Sequence, residues 1–221
     1  MRSPRFPLLA FGLVAVADLG SLAAGPGPGH LIAKPLLMPL LAAWAARRGA
    51  PRLLVAALLC GWGGDVLLLS DADAAFLAGM SCFAAGHVCY LVLFTRAGPH
   101  RARAGLLLAC YAAVLTATLV LLVPDLPADL RLPVVCYSAL LTAMAWTAAA
   151  RLGPVAGAGG ALFVLSDTLI ATGVADWPQP PRPDLWIMLT YVAAQALLAR
   201  GVLAAPPART ASYQPERTAT P

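Results

Sequence analysis

Two aspartates, Asp65 and Asp167, lie inside long apolar segments, where an ionised side chain is costly. Asp65 stands in the stretch LLCGWGGDVLLLSDAD, residues 58–73, and Asp167 in GALFVLSDTLIA, residues 160–171. A charge left alone within a membrane costs on the order of 2.5–3.5 kcal/mol on insertion scales, so such residues commonly mark ligand sites or proton relays. The two carboxyl groups are therefore the first candidates for chemistry.

Five further polar residues lie in apolar segments at related depths. Together with the two aspartates, and ordered from the shallower group to the deeper one, the set is Asp65, Asp167, Lys34, Asp18, Tyr191, His87 and Gln195. A rise of about 1.5 Å per residue places the first five roughly 6–10 Å below one membrane surface and the last two roughly 16–18 Å below it. Because isolated buried charges are costly, we expect these groups to face one another inside a helix bundle.

The elements that must position this layer are membrane-spanning helices. Of the 221 residues, 60% are hydrophobic and 11% are charged, whereas soluble domains have about a quarter charged residues. Eight apolar segments of about 17–21 residues are each long enough to cross the hydrocarbon core as a helix. They cover residues 6–24, 30–46, 52–70, 75–95, 104–123, 132–150, 155–174 and 184–203. The alternating patterns of a membrane β-barrel do not occur, so the predicted fold is an all-α bundle of eight transmembrane helices.

The connectors predict the orientation of the chain. Arginines cluster before the first segment, at 47–52, at 96–103 and at 151, whereas the alternate connectors hold mainly aspartates, such as Asp71, Asp125 and Asp176. Positive charge is enriched in cytoplasmic loops, so both termini are predicted to be cytoplasmic. The predicted organisation is a transmembrane domain at 1–203 and a disordered cytoplasmic tail at 204–221, which is rich in proline and threonine.

The composition argues against several other classes of protein. The net charge of +5 comes from loop arginines that do not interleave with aromatic residues, so we expect no nucleic-acid partner. The five cysteines are scattered singly without metal-ligand spacing, and the chain has three histidines. We therefore expect no metal and no cofactor. The Ala-, Arg- and Pro-rich composition is typical of GC-rich genomes and favours a bacterial inner membrane as the location.

Several of these residues also have purely structural interpretations. Asp65 and Lys34 could form a structural ion pair, and His87 with Tyr90 could make an ordinary interhelical hydrogen bond. Tyr191 could belong to the aromatic belt at a membrane surface, and Asp18 could equally be structural. Helical spacing nevertheless places His87 and Tyr90 on one small-residue face, and Ser166 lies next to Asp167.

Five motifs in order along the chain resemble the lysoplasmalogenase-like proteins of the YhhN or TMEM86 family. They are KPLLMPLL at 34–41, GGDVLLL at 63–69, FLAGMSCFAAGHVCY at 76–90, GALFVLSDTLIA at 160–171 and YVAAQALLA at 191–199. The family's polar positions fall on Lys34, Asp65, His87, Asp167, Tyr191 and Gln195, whereas Asp18 matches no family motif. Enzymes of this family hydrolyse the vinyl ether bond of lysoplasmalogens, releasing a fatty aldehyde and a glycerophospho-ethanolamine or -choline.

The resemblance implies acid–base chemistry by two aspartates, Asp65 and Asp167. Protonation of the vinyl ether would give an oxocarbenium ion, to which water adds, and glycosidases divide such work between two carboxyl groups. A desolvated carboxyl group favours its neutral form and one beside a lysine its ionised form. We therefore assign Asp65 as the base and Asp167 as the acid, although the opposite assignment fits the sequence almost as well. Lys34, His87, Tyr191 and Gln195 would bind water or the substrate's glycerol and phosphate, with Asp18, Ser166 and Tyr90 as further candidates.

The partners implied are a single-chain ether lysophospholipid, water and the surrounding lipids. Two other function classes remain open on the sequence. Intramembrane carboxylates, a lysine and a histidine also build the proton relays of transporters, so a proton-coupled carrier of a solute or lipid is the main alternative. A lipid-binding sensor that lacks turnover is the third.

Overall fold

The structure is a computed structural model, and it describes residues 5–25, 28–98 and 102–205. The described residues form eight α-helices. They are α1 Arg5–Ala24, α2 Pro28–Arg47, α3 Arg52–Leu67, α4 Asp73–Thr95, α5 Ala104–Leu122, α6 Ala128–Thr147, α7 Pro154–Val174 and α8 Pro183–Ala204. A 3₁₀ turn, Val123–Asp125, follows α5, and a π-helical turn, Ala148–Leu152, extends α6.

The predicted all-α membrane bundle is confirmed. Seven of the described helices are long and apolar enough to cross a membrane, the exception being α3, which has 16 residues. The sequence predicted a span to residue 70, but the chain leaves the helix after Leu67 and turns toward α4. The predicted tail at 204–221 lies almost wholly outside the described residues. The predicted cytoplasmic location of both termini stays a prediction.

Seven helices pack in a closed ring, with the eighth outside it. Each helix contacts the next in the order α1, α2, α3, α4, α6, α7, α8, and α8 returns to α1. The α8 helix also reaches α2 and α3, so it is the most buried of the set. The α5 helix packs mainly against α6 and the turns that flank it, and Leu122 is its only buried residue among those described.

Glycines on α3 allow the close helix contacts that form the site. A Cβ atom added at Gly64 would lie 2.4 Å from the ring of Phe83 on α4, closer than any real contact. A Cβ atom at Gly61 would lie 3.0 Å from Gln195 Nε2 and 3.1 Å from Tyr191 Oη, both on α8. Small residues of this kind let helix backbones approach within a membrane. Here they bring α3 against polar side chains of α8.

Candidate active site

Asp65 and Asp167 line one cavity inside the bundle. This cavity, called the aspartate cavity below, has about 1090 Å³ of empty space, including its open mouth. Lys34, Ser166, Tyr137 and Tyr191 also line it, and most of its remaining wall is aliphatic or aromatic. The structure therefore brings together both predicted catalytic aspartates, two of the four predicted substrate-binding residues and one of the further candidates.

The carboxyl group of Asp65 receives a hydrogen bond through a chain of three side chains. Tyr90 Oη on α4 donates to Gln195 Oε1 at 2.6 Å, Gln195 Nε2 donates to Tyr191 Oη at 3.4 Å, and Tyr191 Oη donates to Asp65 Oδ2 at 2.8 Å. All four residues are buried, and Asp65 is 2% exposed. The direction set by the Gln195 amide leaves Asp65 as the acceptor at the end of the chain.

The carboxyl group of Asp167 ends a second chain, which also starts on α4. Tyr137 Oη on α6 donates to Asp167 Oδ2, and it lies 3.0 Å from His87 Nε2. His87 is buried, and its Nδ1 atom has no partner among the described residues. With Tyr137 donating to Asp167, the tyrosine oxygen accepts from His87 Nε2–H, which leaves Nδ1 unprotonated in a neutral imidazole.

The two chains share a pattern. In each, a tyrosine hydroxyl holds one carboxylate oxygen, while the second oxygen, Asp65 Oδ1 or Asp167 Oδ1, has no hydrogen-bond partner in the described part of the chain. Aromatic rings fill the space between the chains: Phe163 packs edge-on against His87 at 4.7 Å and against Tyr191 at 5.5 Å, measured between ring centroids. The arrangement separates two polar chains and leaves one oxygen of each aspartate available for a ligand.

Lys34 belongs to the same electrostatic environment without forming an ion pair. It is 9% exposed and lines the aspartate cavity. Among the described residues it makes no salt bridge with Asp65 or Asp167. Asp65 nevertheless interacts electrostatically with Lys34, Asp18 and Asp167. The structural alternative of a direct Asp65–Lys34 ion pair is therefore wrong. The Lys34 amine makes no hydrogen bond among the described residues, so its N–H donors are available to a ligand.

Asp18 stands apart from this cavity. It is fully buried, and its Oδ1 atom lies 2.8 Å from Nδ1 of His30, near the start of α2. It is not among the residues that line the aspartate cavity. Its other carboxylate oxygen is buried with no partner among the described residues. The partner His30 was not singled out in the sequence, because its position at the end of an apolar segment resembles a connector.

Three predicted residues, His87, Gln195 and Tyr90, lie behind the cavity wall. They do not line the aspartate cavity, and they reach it through the hydroxyls of Tyr137 and Tyr191. His87 and Tyr90 both lie on α4 and do not bond to each other. Each makes an interhelical hydrogen bond with another partner, His87 with Tyr137 on α6 and Tyr90 with Gln195 on α8. Ser166 faces the cavity, and its hydroxyl donates to the carbonyl oxygen of Ile187 at 3.1 Å.

Tyr137 is the residue that the sequence interpretation missed. It lies in the sixth span, where no ionisable residue drew attention to it, and tyrosines are common in membrane helices. The signal available was its depth. It lies about five residues into the predicted span at 132–150, or roughly 8 Å, at the same level as the two aspartates. Tyr191 is buried and bonded to Asp65, so its assignment to the aromatic belt is wrong.

The described residues offer no group of three or more His, Cys, Asp or Glu side chains that could hold a metal ion. The chemistry available to the cavity is that of carboxyl groups, tyrosine hydroxyls and one amine. Such a set can donate and accept protons on either side of a bound molecule.

Comparisons with known proteins agree with the motifs. The chain is 38% identical to human lysoplasmalogenase TMEM86B over 162 aligned residues. These residues make up 73% of this chain and 68% of the relative. It is 39% identical over 170 residues to the pig TMEM86B lysoplasmalogenase, covering 77% of this chain and 72% of the relative. A bovine lysoplasmalogenase, TMEM86A, is 34% identical over 146 residues, covering 62% and 59%.

No solved structure matches the chain. The model of the YhhN family matches residues 29–202, from the first turn of α2 to the last turn of α8. This match includes the whole of the aspartate cavity. The chain therefore belongs to the YhhN family, as the motifs indicated.

Proposed function

We propose that the protein is a membrane-embedded ether hydrolase that cleaves the vinyl ether bond of a lysoplasmalogen-type lysophospholipid. The observation that carries the proposal is the pairing of Asp65 and Asp167 in one cavity, each with one carboxylate oxygen that has no hydrogen-bond partner among the described residues. The relatives named as lysoplasmalogenases support the choice of reaction. The products are a fatty aldehyde and a glycerophospho-alcohol, and water is the second substrate.

The reaction needs two carboxyl groups in opposite states. The acid transfers its proton to the β-carbon of the double bond, which leaves an oxocarbenium ion at the ether carbon. Water adds to that carbon and gives a proton to the carboxylate, producing a hemiacetal. The hemiacetal then loses its hydroxyl proton as the bond to the glycerol oxygen breaks, and that oxygen takes up a proton. The carboxylate also stabilises the cation, as in glycoside hydrolysis.

Asp65 is the proposed base. The hydrogen-bond chain through Gln195 directs the Tyr191 hydroxyl toward Asp65, which therefore accepts. Lys34 lines the same cavity, and a cation close to a carboxyl group stabilises its ionised form. Asp65 would hold the attacking water with its free oxygen and take up the water's proton.

Asp167 is the proposed acid. Its partner Tyr137 can donate to an ionised carboxylate or accept from a protonated one, because His87 can likewise donate or accept at Nε2. The second chain thus tolerates both protonation states that an acid passes through in one turnover. In this assignment His87 and Gln195 position the tyrosines, and Lys34 is left for the phosphate of the headgroup.

The test is hydrolysis by the purified protein of a 1-alkenyl lysophospholipid, beside the saturated 1-alkyl analogue as control. In D₂O, with the aldehyde trapped as it forms, β-carbon protonation places one deuterium on the carbon next to the aldehyde. Release of unlabelled aldehyde would contradict the mechanism. Turnover of neither lipid, together with solute-dependent proton flux in proteoliposomes, would favour a carrier, and binding without turnover would favour a sensor.

We also propose that the protein resides in a bacterial inner membrane and that its site opens toward the non-cytoplasmic half of the bilayer. The distribution of arginines among the connectors supports this orientation. A vinyl ether lies just below the headgroup of its lipid, and Asp167 lies seven residues, or roughly 10 Å, from the end of α7 on the side of the aspartate-rich connectors.

A further inference from the structure

We infer that the groove between α5 and α7 is the binding site for the hydrocarbon chain of the substrate and that the substrate enters the aspartate cavity through it from the bilayer. The inference rests on the proposed function, which it deepens by assigning the subsite that binds the hydrocarbon chain of the substrate. The α5/α7 groove is defined by Cys110, Val114 and Thr118 on α5 and by Ala161, Leu165 and Thr168 on α7.

The groove adjoins the aspartate cavity. Five residues line both: Tyr111, Val114, Thr118, Val164 and Thr168. Thr168 follows Asp167 directly in α7, so the groove begins beside the proposed acid. We infer that a chain attached to a vinyl ether at Asp167 extends into the groove past these shared side chains.

The groove has the length and direction that a lipid tail needs. Measured from the helix ends nearest the aspartates, Thr118 lies four residues into α5 and Cys110 twelve, or roughly 6 Å and 18 Å. Ala161 lies thirteen residues from the same end of α7, at roughly 20 Å. The groove thus descends from the level of the carboxyl groups past the bilayer midplane, which lies about 15 Å from the edge of the hydrocarbon.

The lining and its surroundings select an apolar occupant. Cys110, Val114, Ala161 and Leu165 are exposed in the structure, although they lie at hydrocarbon depth. The Thr168 hydroxyl donates to the carbonyl oxygen of Val164 at 2.7 Å, so its proton is not available to a ligand. The α5 helix packs mainly on α6 and stays outside the helix ring. The groove, with about 790 Å³ of open space, therefore opens laterally toward the hydrocarbon of the bilayer.

The experiment narrows the groove with Ala161→Trp and compares two substrates that share the vinyl ether and headgroup. One carries a long alkenyl chain and the other a chain of a few carbons that is soluble in water. We expect kcat/KM for the long-chain substrate to fall at least about tenfold, while that for the short-chain substrate stays within about twofold of the wild-type value. Loss on both substrates, or on neither, would overturn the assignment.

The matched pair on α5 is Cys110→Trp and Ala112→Trp. At about 100° per residue, Ala112 lies on the far side of α5 from the groove residues, and it is exposed and lines neither cavity nor groove. We expect Cys110→Trp to lose activity selectively on the long-chain substrate and Ala112→Trp to behave as wild type. Equal effects of the two variants would point to general disturbance of α5 and contradict a tail site.

A binding measurement that does not depend on turnover separates this inference from the proposed reaction. A saturated 1-alkyl lysophospholipid with a diazirine at the end of its chain is photolysed with the wild-type protein, and the labelled peptides are sequenced. We expect labels at 110–118 and 161–168. Labels confined to other helices would overturn the tail site, whereas labels in the groove with no aldehyde release from the alkenyl lipid would retain the site and reject the hydrolase.

Discussion

At the scale of single residues, the two aspartates differ in the side chains that complete their hydrogen-bond chains. Both accept from a tyrosine, but the chain behind Asp65 ends in a glutamine amide with fixed donor and acceptor ends, and the chain behind Asp167 ends in an imidazole. An amide cannot exchange its roles without rotating, whereas an imidazole can carry its proton on either nitrogen. The fixed amide therefore keeps Tyr191 donating to Asp65 Oδ2 while the other oxygen of Asp65 takes up the proton of water. The imidazole instead lets the hydrogen bond between Tyr137 and Asp167 reverse when Asp167 gains or loses its proton.

Replacing either carboxyl group by an amide should stop the reaction without unfolding the protein. We expect Asp65→Asn and Asp167→Asn each to lower turnover of the alkenyl lipid by about 10²–10⁴-fold, because neither amide can transfer the required proton. The Asn oxygen can still accept from the tyrosine, so the thermal unfolding temperature should change little. The matched control is Asp184→Asn at the exposed start of α8, which should keep full activity. Near-native turnover by either cavity variant would disprove the dyad.

The role of Tyr137 can be separated from general packing. We expect Tyr137→Phe to reduce kcat by about 10–100-fold with little change in KM, because it removes the hydroxyl that joins Asp167 to His87. The pH–kcat profile should also move, since Asp167 loses its hydrogen-bond partner. Tyr111→Phe is the control: Tyr111 lines the same cavity, and its hydroxyl makes no hydrogen bond among the described residues. A loss shared by both variants, or an unmoved profile for Tyr137→Phe, would rule out this role.

At the scale of elements, the glycines of α3 determine how closely it approaches α8. Gly61 faces Tyr191 and Gln195, whereas a Cβ atom at the nearby Gly63 would lie an ordinary 3.5 Å from Cys82 Sγ. The same substitution at the two positions therefore tests whether the approach of α3 to α8 serves the site.

We expect Gly61→Ala to lower turnover by at least about tenfold, because the new methyl group pushes against the two polar atoms that hold Asp65 in its hydrogen-bond chain. Gly63→Ala should leave turnover near the wild-type value. Turnover and thermal unfolding of both purified variants provide the measurement. If Gly61→Ala were as active as Gly63→Ala, the close packing of α3 on α8 would not matter to catalysis.

At the scale of the whole molecule, the alternation of charged connectors predicts which side of the membrane the cavity opens toward. In a cysteine-free variant, we expect Asp71→Cys to react with a membrane-impermeant maleimide added outside intact cells. We expect Arg48→Cys to react only after the cells are permeabilised, because arginine-rich connectors remain in the cytoplasm. The opposite labelling pattern would place the site on the cytoplasmic side and reverse the proposed orientation.

The class of fold and the eight helices were predictable from the amino-acid sequence alone, and so were the polar residues to consider. Long apolar segments and their connectors are local properties, so helix bounds were predicted within a few residues. The larger differences are the start of α6 at Ala128, four residues before the predicted 132, and the end of α3 at Leu67, three residues before the predicted 70 and within an uninterrupted apolar run. The cost of a charge in hydrocarbon is also a property of each residue alone, which is why Asp65 and Asp167 could be singled out before any contact was known.

The neighbours of each helix and the hydrogen-bond partners of each polar side chain became known only from the three-dimensional structure. The order of helices around the ring, with α5 left outside it, depends on packing between segments far apart in the sequence. That order places Tyr137 between His87 and Asp167, puts His87 and Gln195 behind the cavity wall, and removes Asp18 from the cavity. Depth along a helix can be read from residue number, but rotation and neighbour choice arise from side-chain packing, and these determine which polar atoms meet.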